Sequence, residues 1–181
     1  MSQLKVNSIV PTSGLSSGAN GGIIQIVQTV KTDTFSQSSL NDATFSNDTG
    51  LNVTITPSSN SNKIRLTGSV VISMDQDWDG YGIGLFKGGN VLSGAVGDAA
   101  GNRTQCTSMS FAQSYGGEAR TLPFDFIDSP DTTSATTYGI RIIFFSGSSS
   151  STVYMNRSQS DDNNVYRPRS ISTITAMEVT T

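Results

Sequence analysis

Apolar residues recur at every second position along much of this chain, in short runs separated by polar, turn-forming residues. A period of two places successive side chains on opposite faces of an extended strand, and the many β-branched residues strengthen that interpretation. The pattern predicts strands over residues 23–32, 51–56, 63–73, 81–87, 90–96, 107–114, 120–127, 137–145 and 171–179. No window has the spacing of an amphipathic helix. The chain is therefore predicted to be all-β, an antiparallel two-sheet sandwich of jelly-roll type.

Residues 1–22 differ from the rest and predict an extended N-terminal arm ahead of a sandwich domain of residues 23–181. Apolar side chains alternate roughly near the start, at Leu4, Val6, Ile9 and Val10. A segment rich in Gly, Ser and Asn follows and predicts a flexible linker. We interpret the four apolar residues as an anchor that docks on a neighbouring subunit or assembly, and a frayed terminus is the alternative.

Composition narrows the classes of function. The chain has no His, one Cys and two Glu, against 29 Ser and 21 Thr. His is the side chain most often used for acid–base catalysis, so an enzyme is not expected. A net charge of −3 and scattered basic residues argue against nucleic-acid binding, and the absence of a long apolar run argues against membrane insertion. Cys106 is alone and is predicted to be a small buried hydrophobe.

One acidic segment is a candidate metal site. Asp75-Gln76-Asp77-Trp78-Asp79-Gly80 matches the first six positions of an EF-hand calcium loop, in which carboxylates at positions 1, 3 and 5 converge on the ion. The twelfth position, which should be Glu, is Phe86. Asp75, Asp77 and Asp79 are therefore candidate calcium ligands in some other loop geometry, and no other cofactor is expected. The alternative is a solvated acidic turn.

Two further groups are weighed against structural roles. Trp78 and Tyr81 are candidates for a small recognition platform, although Trp78 is also suited to cap the sandwich or pack at a subunit interface. Asp125 with Asp128 or Asp131 is a carboxylate pair by sequence proximity alone, which leaves a glycan-processing enzyme as an alternative function.

Several separated segments resemble small virion appendage proteins of tailed bacteriophages, especially marine ones. They are MSQLKVNSIVP at the start, GIGLFKGGNVLSGAVGDAAGNR from residue 82, FDFIDSPDTTSATTYGIRI from residue 124, and SISTITAMEV from residue 170. The third segment carries Asp128-Ser129-Pro130 followed by Ser134-Ala135-Thr136-Thr137-Tyr138. The resemblance covers nearly the whole chain, and the order and spacing of the segments are its most specific feature.

The resemblance implies a non-enzymatic virion structural protein that forms a homotrimer. Its sandwich would be similar to the trimeric jelly rolls of tumour-necrosis-factor-like and complement-globular-head domains, which bury one face of each sandwich around a three-fold axis. Strand residues that exceed the needs of one small core, together with few charges, are compatible with such an interface.

On this interpretation, residues 1–22 attach the protein to other virion proteins, and the sandwich projects from the virion surface as a tail fibre or knob for host attachment, with a host surface glycan as a candidate partner. Capsid decoration that stabilises the head is the alternative. Glu178 follows the closing pattern of these proteins, and we expect a structural role in which it pairs with a basic residue such as Arg141.

Overall fold

The computed structural model describes residues 22–76, 79–112, 119–145 and 150–180. These residues form eleven β-strands and one short 3-10 turn at Ser93–Ala95. The strands are Ile23–Lys31 (β1), Phe35–Asn41 (β2), Asn52–Ile55 (β3), Lys63–Met74 (β4), Gly80–Lys87 (β5), Asn90–Val91 (β6), Ser108–Phe111 (β7), Arg120–Asp128 (β8), Thr136–Phe145 (β9), Ser150–Met155 (β10) and Ser172–Val179 (β11).

The strands pair antiparallel in two sheets. In the first sheet the order is β1-β11-β4-β10-β2, and β8 pairs with the free side of β4. On its other side, the long strand β4 pairs with two strands. Its first residues pair with β11, and its last three pair with β10. In the second sheet the order is β3-β9-β5-β6, and β7 also pairs with β5. The predicted all-β, two-sheet antiparallel sandwich is confirmed.

The core lies between the sheets and follows from the alternation along each strand. Every second residue of β4, β8 and β9 points inward, because successive side chains of a strand face opposite sides. The buried inward apolar positions of these three strands are Ile64, Leu66, Val70, Ile72, Met74, Leu122, Phe124, Tyr138, Ile140, Ile142 and Phe144, and Phe126 packs against them partly buried.

Two strands escaped the sequence prediction, and one predicted strand is short. Strand β2 contains three Ser and one Gln, and β10 begins Ser-Ser-Thr, so their apolar positions do not form a recognisable run. The predicted strand over residues 90–96 is wrong beyond Val91, because the 3-10 turn follows. The predicted hairpin is present, with positive φ at both Gly88 and Gly89, as a two-residue turn of this type requires.

A row of glycines on the outer face of β5 leaves room for other segments to pack closely. Gly80, Gly82 and Gly84 alternate with buried Tyr81, Ile83 and Leu85. Atoms of neighbouring segments occupy the space that the missing side chains leave. A Cβ on Gly84 would lie 2.5 Å from Phe45 Cε1, and one on Gly82 would lie 2.7 Å from the Ser108 carbonyl oxygen. The G-x-G pattern therefore allows close packing on the sheet.

Candidate functional site

The outer face of β1, β11, β4 and β8, which we call the four-strand face, carries several exposed aliphatic side chains. Register places Ile26, Met177, Arg65 and Ile127 in one row across the four strands. The same face carries Val30, and a register shift between Ile23 and Gln25 leaves both Ile23 and Ile24 exposed. Four strands of about eight residues span roughly 20 by 25 Å, the scale of one side of a protein–protein interface.

Two aliphatic side chains on this face are more than half exposed. Ile26 is 62% exposed and Ile127 is 52% exposed. Arg65 and Asp125 lie between them and pair with each other through two hydrogen bonds, so their charges compensate on the face itself. The Arg65 guanidinium lowers the pKa of Asp125 through this hydrogen bond. Exposed aliphatic side chains that share one face of a sheet are candidates for a protein-interaction site.

A buried polar cluster joins the two sheets beneath this face. Asp128, at the end of β8, accepts a hydrogen bond from the Tyr138 hydroxyl at 2.6 Å and one from Lys87 Nζ at 2.9 Å. Burial, followed by the hydrogen bond to Asp128, raises the pKa of Tyr138 far above its ordinary value. The phenol therefore stays neutral and acts as a donor that holds β9 against β8.

Glu178 is the second buried carboxylate, and its expected partner is wrong. It is 1% exposed, and its Oε1 accepts hydrogen bonds from Ser58 N, Ser58 Oγ and Asn62 Nδ2 at 2.6–2.7 Å. Burial raises its pKa, but these hydrogen bonds outweigh burial, so the net pKa is lowered. Arg141 belongs to the other sheet and stacks 4.3 Å over the Phe86 ring. Glu178 thus ties β11 to the loop that precedes β4.

The acidic segment at residues 75–80 is only partly described. Asp75 Oδ1 accepts hydrogen bonds from Ser151 Oγ at 2.6 Å and Thr152 N at 2.8 Å, which fasten the end of β4 to β10. Gly80 lies in strand β5, where it pairs with Phe111 and Phe145, so it does not make the turn of an EF-hand loop. Asp77 lies outside the described residues, and calcium binding by Asp75, Asp77 and Asp79 stays a prediction. Among the described residues, no group of three or more potential metal-ligating side chains comes together.

The predicted recognition platform of Trp78 and Tyr81 is wrong for Tyr81. Tyr81 is completely buried between the sheets, because it occupies an inward position of β5 between two outward glycines. It therefore does not present a contact surface. Trp78 lies outside the described residues, so its predicted role stays a prediction.

The carboxylates that suggested glycoside cleavage do not form a pair. Asp125 points outward on β8 and is half-exposed, whereas Asp128, three residues on, points inward and is buried. The two therefore cannot flank one glycosidic bond from the same face. Asp131 lies in the following loop, exposed and with a φ of 53°.

Two remaining predictions concern Cys106 and the arm. Cys106 is half-buried against Gly82, and burial raises the pKa of its thiol, which agrees with a packing role. The anchor residues Leu4, Val6, Ile9 and Val10 lie outside the described residues, and their role stays a prediction. Gly22, the first described residue, exchanges hydrogen bonds with Thr180, which fastens the start of β1 to the end of β11.

No protein-family model and no curated protein sequence matches this chain. The solved structures that it resembles include those of infectious bursal disease virus. The infectious bursal disease virus Gx strain structure aligns over 97% of this chain and 44% of the other, with 12% identity and a TM-score of 0.44. The Gt strain structure gives 97% and 44%, with 11% identity and a TM-score of 0.45. The crystal structure of the VP2 subviral particle of the same virus gives 86% and 38%, with 12% identity and a TM-score of 0.39.

This chain spans less than half the length of each of those chains. With identities this low and TM-scores below 0.5, we draw nothing about function from the likeness. Within the described residues, the structure contains no helix long and apolar enough to cross a membrane.

The sequence indicated more strand residues than one small core needs, but it did not indicate which strands carry them on an exposed face. The signal was present in β1, whose outward positions Ile24, Ile26 and Val30 are more apolar than its half-buried positions Gln25, Val27 and Thr29. Apolar residues on the outward face of a strand suit a surface that another molecule covers.

Proposed function

We propose that this chain is a non-enzymatic structural protein of a bacteriophage virion that assembles as a homotrimer through its four-strand face. The observation that carries the proposal is the exposed aliphatic surface on β1, β11, β4 and β8. It is supported by the resemblance of four sequence segments to virion appendage proteins.

The chemistry of the four-strand face favours a second copy of the same chain as its partner. The described charges on its central rows are Arg65 and Asp125, which neutralise each other. The face therefore does not favour a partner of either charge. Burying Ile26 and Ile127 would release about 1.5–3 kcal/mol for each fully covered side chain. A closed symmetric assembly covers such a surface on every copy at once.

The oligomeric state tests this proposal directly. We expect the full chain to sediment at about 57 kDa, three times the 19.1 kDa of one chain. The double variant Ile26→Lys/Ile127→Lys should sediment as a monomer with an unchanged far-ultraviolet circular dichroism spectrum, since both positions are exposed in the single chain. A trimer that survives the double substitution would overturn the assignment of the face.

A matched control comes from the other sheet. Met109 on β7 is 47% exposed, so Met109→Lys adds a charge at an exposed apolar position away from the four-strand face. This variant should remain trimeric. Dissociation by both sets of variants would mean that added charge alone, rather than the position, breaks the assembly.

The place of the protein on a particle is tested by electron microscopy of intact virions labelled with a gold-conjugated antibody against residues 23–181. Label at the tail supports an appendage for host attachment. Label over the head supports the alternative of a capsid-decorating protein. Particles without label would exclude both virion roles.

A further inference from the structure

A groove of about 330 Å³ crosses the outer face of the second sheet, on the side of the sandwich opposite the four-strand face. Its floor is apolar and includes Phe45, Ile143 and Val91. Its rim is formed by the loop of residues 101–105, which contributes Asn102, Arg103 and Gln105. A concave apolar floor with a few converging polar groups is the usual composition of a small-ligand site.

The segment that carries Phe45 lies along one side of the groove and is fixed by backbone pairing. Ala43 N donates to the Phe144 carbonyl at 2.9 Å, and Ser46 N donates to the Ile142 carbonyl at 2.7 Å, so residues 43–46 lie along β9. The Phe45 ring fills the space over Gly84 and packs edge-on against Phe86, with centroids 5.1 Å apart.

The opposite wall is braced independently. Gln105 Nε2 donates to the Gly97 carbonyl at 2.6 Å and closes the base of the loop. Thr107 N donates to the Ile83 carbonyl at 2.7 Å and attaches the end of the loop to β5. Because both walls are held in place, a ligand would meet a site that is already formed, which lowers the entropic cost of binding.

The groove carries a basic side chain without an acidic partner among its described lining residues. Most described basic side chains pair with an aspartate or stack on an aromatic ring, namely Lys31, Arg65, Lys87, Arg141, Arg157, Arg167 and Arg169. In the described part of the chain, the Arg103 guanidinium forms no ion pair, and its Nη1 donates only to the Ala100 carbonyl at 3.2 Å. No carboxylate is among the described residues that line the groove. The groove is thus locally positive on a chain whose net charge is −3.

We propose that this groove binds a saccharide that carries a carboxylate, such as a uronic-acid residue of an extracellular polysaccharide. The Arg103 guanidinium offers paired donors that match a carboxylate, and the amides of the rim donate to and accept from neighbouring hydroxyls. The apolar floor contacts the C–H face of the sugar ring, a contact that an inorganic anion would not use.

The inference rests on the proposed function, because it supplies the host contact that a surface appendage needs. The groove and the four-strand face lie on opposite sheets, so trimerisation would leave one groove open on each copy. The three weak sites of one trimer would then bind the polysaccharide together.

Titration of the full chain with tetragalacturonate, followed by isothermal calorimetry, tests the proposal, and maltotetraose serves as the neutral probe. We expect one site per chain for the acidic probe, at least about tenfold weaker binding of the neutral one, and weakening by added salt. Arg103→Gln should reduce the affinity for tetragalacturonate at least about tenfold. Val91→Trp, at an exposed position of the groove, should reduce it by filling the floor.

The control variant is Lys63→Gln, which removes an equal charge from an exposed position at the start of β4 and should bind as the wild type does. Equal affinity for the two probes, no binding, or binding unchanged in Arg103→Gln would each overturn the proposal. The monomeric Ile26→Lys/Ile127→Lys variant is titrated in parallel. Saccharide binding with no trimer would refute the proposed assembly alone, and a trimer without binding would refute the groove alone.

Discussion

Replacing Glu178 tests whether a buried, hydrogen-bonded carboxylate holds the last strand to the loop before β4. In the wild type, one carboxylate oxygen receives three donors from Ser58 and Asn62, and the side chain is 1% exposed. Glu178→Ala removes the acceptor of the buried Asn62 amide and of the two donors of the more exposed Ser58. Glu178→Gln keeps one acceptor oxygen but removes the charge.

The magnitude follows from the number of hydrogen bonds. A hydrogen bond to a charged group contributes about 1.5–3 kcal/mol, and contributions that share one acceptor add incompletely. We therefore expect Glu178→Ala to lower the free energy of unfolding by about 3–5 kcal/mol, including the small cavity. For a chain of this size, the melting temperature should fall by roughly 6–20 °C. Glu178→Gln should lose about half as much, because charge-assisted hydrogen bonds are roughly twice as strong as neutral ones.

The pH dependence gives a second, independent signature. The pKa of folded Glu178 lies below its ordinary value of 4.5, since the hydrogen bonds from Asn62 and Ser58 outweigh burial. Ionised Glu178 therefore stabilises the fold above about pH 4.5, and this contribution is lost as the pH falls through the folded pKa. The difference in melting temperature between the wild type and Glu178→Gln should be largest near pH 7 and should narrow below about pH 4.

Differential scanning calorimetry at one protein concentration, from pH 3 to pH 8, measures both effects, since self-association makes melting temperatures depend on concentration. Asp98→Asn is the matched control, because Asp98 is exposed and has no hydrogen bond among the described residues. It should leave the melting temperature nearly unchanged. A Glu178→Ala variant as stable as the wild type, or a gap for Glu178→Gln that does not vary with pH, would refute the reasoning.

Two further predictions concern packing and the contact between the sheets. Gly84→Ala should lower the free energy of unfolding by about 1–3 kcal/mol in urea titrations, because the added methyl displaces Phe45, and adding Phe45→Ala should recover part of that loss. Asp128→Ala should cost about 2–4 kcal/mol in the same assay, since Lys87 Nζ and the buried Tyr138 hydroxyl both lose their acceptor. Tyr138→Phe should cost less than Asp128→Ala, because Asp128 keeps its pair with Lys87, and equal losses would contradict this assignment.

The local pattern of the chain was sufficient for most strands, because alternation reports which face of a strand is buried. In the predicted strand over residues 137–145, the alternate positions Tyr138, Ile140, Ile142 and Phe144 are apolar, and all four are buried. Strands β2 and β10 carry little of it, since their Ser-rich sequences pair through the backbone, and backbone hydrogen bonds are available to any non-proline residue.

The candidate sites depend on contacts that the local sequence pattern does not indicate. Phe45 stands in a polar segment, and its place over Gly84 follows from pairing with β9, nearly a hundred residues away. Glu178 was expected to meet the opposite charge of Arg141, but the two residues fall on different sheets, and amide and hydroxyl donors satisfy the carboxylate.

The sequence by itself therefore determined the fold class, the inward positions of the clearest strands and the hairpin at Gly88 and Gly89, because each of these rests on residues close together in the chain. Only the tertiary structure decided that Tyr81 is internal, that Asp125 and Asp128 face opposite ways, and that exposed aliphatic residues of β1 and β8 share one surface. Those outcomes depend on strand order and register, which are set by packing between residues far apart in sequence.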